Sequence, residues 1–166
     1  MRFSLIDRIV SLEAGKSITA LKNLTMAEEY LADHFPGFPV MPGVLMLESM
    51  VQAGAWLARY TEDFAYSTIL LKQAKALRFN SFVKPGRTLI VTVTIHEWND
   101  TECTVKGQGT VDGASAVSAR LTLERFNLRE KNQALATIDE RLIDAMRRMF
   151  DQLWDGAHGD DDGKGE

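Results

Sequence analysis

The stretch GVLMLESMVQAGAWLAR, residues 43–59, constrains the fold more than any other part of the chain. It is built of helix formers, and its apolar residues, from Val44 through Leu47 to Met50, Val51, Ala55, Trp56 and Leu57, point in nearly every direction around a helical axis. A helix apolar along one stripe lies on a surface, whereas one apolar almost all round is buried on most sides. Pro42 stands where a first turn tolerates it, with its missing donor harmless and its φ preset. The pattern predicts a helix over about 43–60 that the rest of the chain must wrap.

What surrounds that helix in the sequence is β. Residues 5–25 read as two extended segments, LIDRIVSL and SITALKNLT, separated by the turn signal Glu13-Ala14-Gly15-Lys16. Met26 to Asp33 is short and polar. Residues 68–79, RTLIVTVTIHEW, TECTVKGQGTV and ASAVSARLTLERF are rich in Val, Thr and Ile with period-two patterning. Asn99-Asp100 and Asp112-Gly113 mark tight connections, Asp-Gly being a strong hairpin signal. The expectation is an α+β fold in which an antiparallel meander follows, and wraps, one long central helix.

Ile138, Leu142, Met146, Met149 and Leu153 then recur at helical spacing. GAHGDDDGKGE is polar and acidic and is expected to be disordered. The expected organisation is one domain over 1–128, a helical extension over 129–155 and a disordered tail over 156–166. A chain of 166 residues is large enough for such a domain to bury about two thirds of its unfolded surface.

Cys103 is the single cysteine and cannot form an intramolecular disulfide, and no Cys and His cluster has zinc spacing, which points to a reducing compartment. The N-terminus lacks a basic start followed by a long apolar run, and no stretch is long and apolar enough to span a bilayer, so a cytoplasmic location is expected. A net charge of −4 argues against a nucleic-acid binder. One segment departs from that balance: from Lys72 to Arg87 the chain carries Lys72, Lys75, Arg78, Lys84 and Arg87 with no acid among them. They read either as the charged guard of a strand edge or as a docking patch for an acidic partner.

The chemistry concentrates in DHFPGFPVMPGVLMLESMVQ, residues 33–52, which holds three of the four prolines. Glu48 falls inside the predicted helix, where burying an unpaired carboxylate is costly. Burial raises a carboxyl pKa, and an acid kept protonated near neutral pH can donate a proton. Gln52, one turn on, can hydrogen-bond to it on the same face. A structural alternative stays open, in which Glu48 points into a gap on a polar face shared with Gln52 and Arg59. His34 precedes a loop stiffened by Pro36, Pro39 and Pro42 and is a candidate proton acceptor. Gly43 and Val44 supply backbone N–H groups at the helix start, where orphan donors and the macrodipole favour developing negative charge, as on a thioester carbonyl oxygen. Base, acid and oxyanion donors together are what a β-elimination beside an activated carbonyl needs. His96, in a strand, and His158, in the tail, read as structural or solvated.

Residues 34–52 fill every fixed position of the pattern H-F-P-x-x-P-x-x-P-G-V-L-x-x-E-x-x-x-Q, and so resemble the Z-type 3-hydroxyacyl-[acyl carrier protein] dehydratases. Weaker echoes are LIDRI, Arg78-Phe79 with Val83-Lys84-Pro85-Gly86, and Gly109-Thr110-Val111-Asp112-Gly113; the resemblance covers roughly residues 3–126. It implies the hotdog fold, an antiparallel sheet around a long central helix, and a homodimer, often built into a trimer of dimers. By the same resemblance His34 of one chain removes the α proton of a 3-hydroxyacyl thioester, Glu48 of the other protonates the departing hydroxyl, and the Gly43 amide polarises the carbonyl. Isomerase activity is disfavoured, since the A-type relatives are expected to carry aspartate at that position. No cofactor or metal is implied.

The implied partner, acyl carrier protein, is acidic, which gives the Lys72–Arg87 cations a reason to dock it. Met41, Met46, Met50 and Trp56 are either lining of an acyl tunnel or ordinary core. Two features depart from the family: residues 71–77 read Leu-Lys-Gln-Ala-Lys-Ala-Leu where a glycine-isoleucine-aspartate run is common, and the helix beyond Asn127 is an addition. That helix is expected to be an accessory packing element, against the outer sheet, over a tunnel mouth or in an assembly contact. The competing readings are a hotdog acyl-binding scaffold without turnover and a hotdog hydratase or thioesterase acting on coenzyme A esters.

Overall fold

The computed structural model describes residues 3–35, 37–154 and 156. Six strands form one antiparallel sheet: β1 (Arg8–Glu13), β2 (Ser17–Asn23), β3 (Thr68–Phe79), β4 (Thr88–Trp98), β5 (Glu102–Val111) and β6 (Ala114–Phe126). Helix α1 (Gly43–Thr61) connects β2 to β3, and helix α2 (Ala136–Leu153) follows β6. The expected helices and strands are all present, each close to its expected bounds. His158 and nearly all of the acidic tail lie outside the described residues.

The strand order is β1-β2-β4-β5-β6-β3, which corrects the expected meander in one place. β4, β5 and β6 follow one another as hairpins, but β3 lies beyond β6 at the far edge, and residues 80–87 carry the chain back across. β2 already occupies the other side of β4, paired without a break from Ser17↔Thr94 to Asn23↔Thr88. The edge of β6 is what remains for β3, and Thr68↔Phe126 to Phe79↔Val117 pair there.

Period-two alternation then sorts the side chains. Leu89, Val91 and Val93 of β4, Val105 of β5, and Val117, Leu121 and Leu123 of β6 are buried against α1. Thr92, Thr94, Lys106, Gln108 and Arg120 face outward. Gly107 allows the close approach of helix to sheet, since a Cβ there would stand 2.8 Å from the Met50 sulfur.

Over its later turns α1 is as enclosed as its composition predicts, with Met50, Ala53, Leu57 and Ala58 essentially inaccessible. Its first turn is not: Val44 is 67 % exposed, and Leu45 and Leu47 are only half-buried. α2 packs on the second half of α1 rather than on the outer sheet face. Phe150 inserts among Trp56, Tyr60 and Phe64, with ring centroids 6.0, 5.5 and 5.4 Å away, and Trp154 meets Tyr60 edge-on at 5.1 Å. Its first turn is anchored by the buried Asp139, which accepts hydrogen bonds from the Ser67 hydroxyl and from the amides of Leu128 (2.8 Å) and Arg129 (2.9 Å). Among the described residues no helix is long and apolar enough to cross a membrane.

Candidate active site

Glu48 sits in the second turn of α1, half-buried rather than enclosed by core. Its Oε1 accepts a hydrogen bond from Gln52 Nε2 at 3.0 Å, the i,i+4 pair expected from spacing. Gln52 does more than the sequence suggested. Its Nε2 also donates to Phe3 O at 2.9 Å, and its Oε1 accepts from Leu5 N at 2.8 Å, so one amide side chain ties the N-terminal segment to the helix and orients the acid.

A cavity of about 410 Å³ lies beside this pair. One face of α1 lines it with Glu48, Gln52, Val51, Ala55, Trp56 and Arg59, and Leu142, Ala145, Met146 and Met149 of α2 close the opposite wall. Glu48, Gln52 and Arg59 thus do share a face, and that face borders a cavity. Ile69, Phe3 and Ser4 complete the lining.

His34 is half-buried at the start of the proline loop. Its amide donates to Tyr30 O at 3.1 Å, and its ring lies 4.4 Å from that of Phe35. Phe35 has φ +55°, a left-handed conformation that costs on the order of 1–3 kcal/mol in a non-glycine residue. Its carbonyl accepts from the Phe38 amide at 2.7 Å, and the far end of the loop is pinned by the Met41 amide donating to Val83 O at 2.9 Å. His34 is not among the residues lining the cavity of Glu48. Within one chain the candidate base and acid do not share that cavity.

Helical bonding in α1 begins with the amides of Leu45 and Met46, which donate to Pro42 O at 2.9 and 3.3 Å. Among the described residues no side chain caps the helix, so the Gly43 and Val44 amides remain at the open N-terminus of a 19-residue helix. A Cβ on Gly43 would lie 3.0–3.2 Å from the Phe79 ring, so the end of β3 packs directly over this backbone.

Lys72, Lys75 and Arg78 stand on β3, which is an edge strand, as the edge-guard reading requires. Lys72 is ion-paired with Glu102, which raises its pKa, and Arg87 pairs with Asp112 at 3.2 Å. Lys84 lies 4.9 Å over the Phe38 ring, close to the His34 loop. Met41, Met46 and Met50 are core residues, at most 2 % exposed; of the four tunnel candidates only Trp56 borders the cavity. His96 is exposed on β4, 3.6 Å from Glu97. Among the described residues no group of His, Cys, Asp and Glu could hold a metal ion.

Residues 1–120 match the family model of the FabA-like domain. The 3-hydroxyacyl-[acyl-carrier-protein] dehydratase FabZ of Oenococcus oeni is 40% identical over 117 residues, which is 70% of this chain and 84% of that protein. The chain belongs to the FabA-like family and is of the FabZ type. Another FabZ relative, from Desulfotalea psychrophila, is 42% identical over 121 residues, 72% of this chain and 81% of its own length. Among solved structures, the dehydratase heterocomplex ApeI:P from Xenorhabdus doucetiae superposes with a TM-score of 0.64 at 18% identity, covering 80% of this chain and 90% of that one. A Streptococcus mutans protein bound to acetyl CoA gives 0.59 at 16% identity, covering 76% and 94%. These likenesses establish the α+β hotdog fold.

The FabA-like match ends before α2 begins, so the wall that α2 contributes lies outside the shared region. A place over a tunnel mouth was one of three that the sequence left open for this helix, whereas the Phe3–Leu5 strap was not read from the sequence as part of the site. The apolar stripe of α2 was legible, but which of those targets it packs on was not; the strap meets only the first residue of the LIDRI echo, which gives no sign of a bond to Gln52.

Proposed function

We propose that the chain dehydrates 3-hydroxyacyl thioesters carried on the phosphopantetheine arm of acyl carrier protein, giving trans-2-enoyl products in fatty-acid biosynthesis. The observation that carries this reading is the arrangement along one segment: His34 on a pinned loop, two uncommitted amides at the start of α1, and Glu48 one turn further, oriented by Gln52 beside a largely apolar cavity. The thioester carbonyl oxygen accepts from the Gly43 and Val44 amides, which stabilise the charge that develops on it. His34 takes the α proton, and the C–H electron pair becomes the new C=C bond. The C3–O bond breaks, and Glu48 donates the proton that lets the hydroxyl leave as water. In the reverse hydration the same proton returns to Glu48.

His34 and Glu48 act across two chains of a homodimer in this reading. Two features support it: His34 does not line the cavity of Glu48 in a single chain, and α1 leaves its first turn uncovered. The carrier protein, an acidic partner in the cytoplasm, docks on Lys75, Arg78 and Lys84, together with Lys72 and Arg87 once these exchange their intramolecular acids for it.

Purified protein incubated with 3-hydroxyacyl-acyl carrier protein is expected to form the enoyl product, and His34→Ala and Glu48→Ala each to lower turnover by about 10²- to 10⁴-fold. Near-wild-type turnover of either variant contradicts the assignment. Mixing the two inactive variants should restore part of the activity through heterodimers, and no recovery despite verified chain exchange contradicts the shared site.

A further inference from the structure

The cavity beside Glu48 has a cation at its other end. Arg59 follows Glu48 by eleven residues, three helical turns, which places the two on one face of α1 about 16 Å apart along the axis. Gln52 and Trp56 lie between them, and all four line the cavity. The Arg59 guanidinium lies 5.4 Å from the Trp56 ring centroid. Among the described residues no carboxylate pairs with it, and its Nε is buried without a hydrogen-bond partner. Burial pulls its pKa down to about 10. Arg125, which is fully enclosed, also leaves its Nε without a hydrogen-bond partner but has a counter-ion: it pairs with Glu62 at 2.6 Å and stacks over Trp98 at 4.1 Å.

Arg59 is half-buried, with only its Nε enclosed, so a ligand that desolvates the guanidinium further is costly to bind unless it supplies the missing counter-ion. Between Glu48 and Arg59 the walls are mainly apolar: Val51, Ala55 and Trp56 from α1, Leu142, Met146 and Met149 from α2. Such walls suit a methylene chain, and the methionines can adapt to its shape. The arginine side chain leans back toward the N-terminus of the helix. The remaining span matches on the order of ten bonds of an extended chain at ~1.2 Å per bond. A methyl-ended chain of that length would bury Arg59 further with nothing to accept its hydrogen bonds, whereas a carboxylate would pair with it through charge-assisted bonds.

We propose that this cavity holds the acyl chain of the substrate, with α2 as its outer wall, and that Arg59 selects chains carrying a carboxylate at the end remote from the thioester. The inference rests on the dehydratase reading for its chemistry, but not for its binding preference. Two 3-hydroxyacyl thioesters of equal length, about ten carbons, one ending in methyl and one in carboxylate, test it, beside a four-carbon substrate that reads dehydration alone. The wild-type chain is expected to favour the carboxylate-ended substrate in kcat/KM by about 10- to 100-fold, the worth of a hydrogen bond between charged groups. Arg59→Met, which keeps most of the apolar stem, should collapse that ratio toward one. Ala145→Trp should fill the cavity from the α2 side and lower the ten-carbon to four-carbon ratio at least tenfold.

A wild-type preference for the methyl-ended chain, or a ratio unmoved by Arg59→Met, overturns the selection. An unmoved length ratio in Ala145→Trp overturns the wall. Calorimetric titration with the corresponding saturated acyl-pantetheine thioesters reads the same preference without turnover. Failure to dehydrate any substrate and failure to discriminate between chain ends are therefore separate results.

Discussion

Gln52 is the residue on which Glu48 depends. Its amide donates to the carboxylate at 3.0 Å while holding the backbone of Phe3 and Leu5, so three hydrogen bonds converge on one side chain. Gln52→Ala should release the strap and leave the Leu5 amide without its acceptor, at a cost of about 1–3 kcal/mol. Urea denaturation measures that loss. The catalytic consequence separates orientation from mere stability: kcat is expected to fall by tenfold or more at temperatures where the variant is fully folded, with little change in KM, because substrate still fits the cavity while the acid is no longer held. A variant that loses stability but keeps kcat would make Gln52 a tether only.

At the scale of elements, β3 is an edge strand bulged twice, between Leu71 and Gln73 and between Lys75 and Arg78. The second bulge holds Ala76 at φ +51°, a left-handed conformation costing an alanine about 1–2 kcal/mol. Ala76→Gly should relieve that strain, offset by the greater freedom of glycine in the unfolded chain, for a net gain of about 0.5 kcal/mol. Ala76→Val, β-branched at positive φ, should lower the melting temperature instead, and a calorimetric scan of both variants reads the sign. α2 makes a pH-dependent contact through Asp139. Burial pushes its carboxyl up, but the Ser67 hydroxyl, the Arg129 and Leu128 amides and the nearby Arg129 charge outweigh burial and hold it below the ordinary carboxylate range. A folded pKa below the unfolded one means that the contribution is complete above the unfolded value and is lost as pH falls through the folded one. Acid should therefore loosen the anchor of α2, seen as a change in Trp154 fluorescence as it leaves Tyr60. In Asp139→Asn the anchor should already be weakened at neutral pH, and that acid step should disappear.

For the whole molecule, what the sequence disclosed was whatever is written locally. The all-round apolar pattern of 43–59 located α1, period two located the strands, and the four-residue interval from Glu48 to Gln52 anticipated their bond. The position of β3 was not readable, because it depends on β2 having taken the free side of β4. Nor was the link from Gln52 to Phe3 and Leu5, nearly fifty residues away, nor the fact that the apolar stripe of α2 would face Trp56 and Tyr60. The same limit applies to assembly. Phe35, Phe38, Val44, Phe79 and Phe82 are all exposed. They gather at the His34 loop and the end of β3, with Phe38 and Phe82 in edge contact at 5.7 Å and Phe79 over Gly43. An apolar group of this size beside a candidate site marks an interaction surface, and a second copy covering it would bring another chain to His34. Phe82→Asp, which places a charge in the middle of that patch and alters no proposed catalytic group, should shift the protein toward monomer in sedimentation experiments. If the site is shared, specific activity should fall in proportion to the dimer lost and recover as protein concentration is raised. A monomeric Phe82→Asp variant with full activity at every concentration would show that each chain works alone.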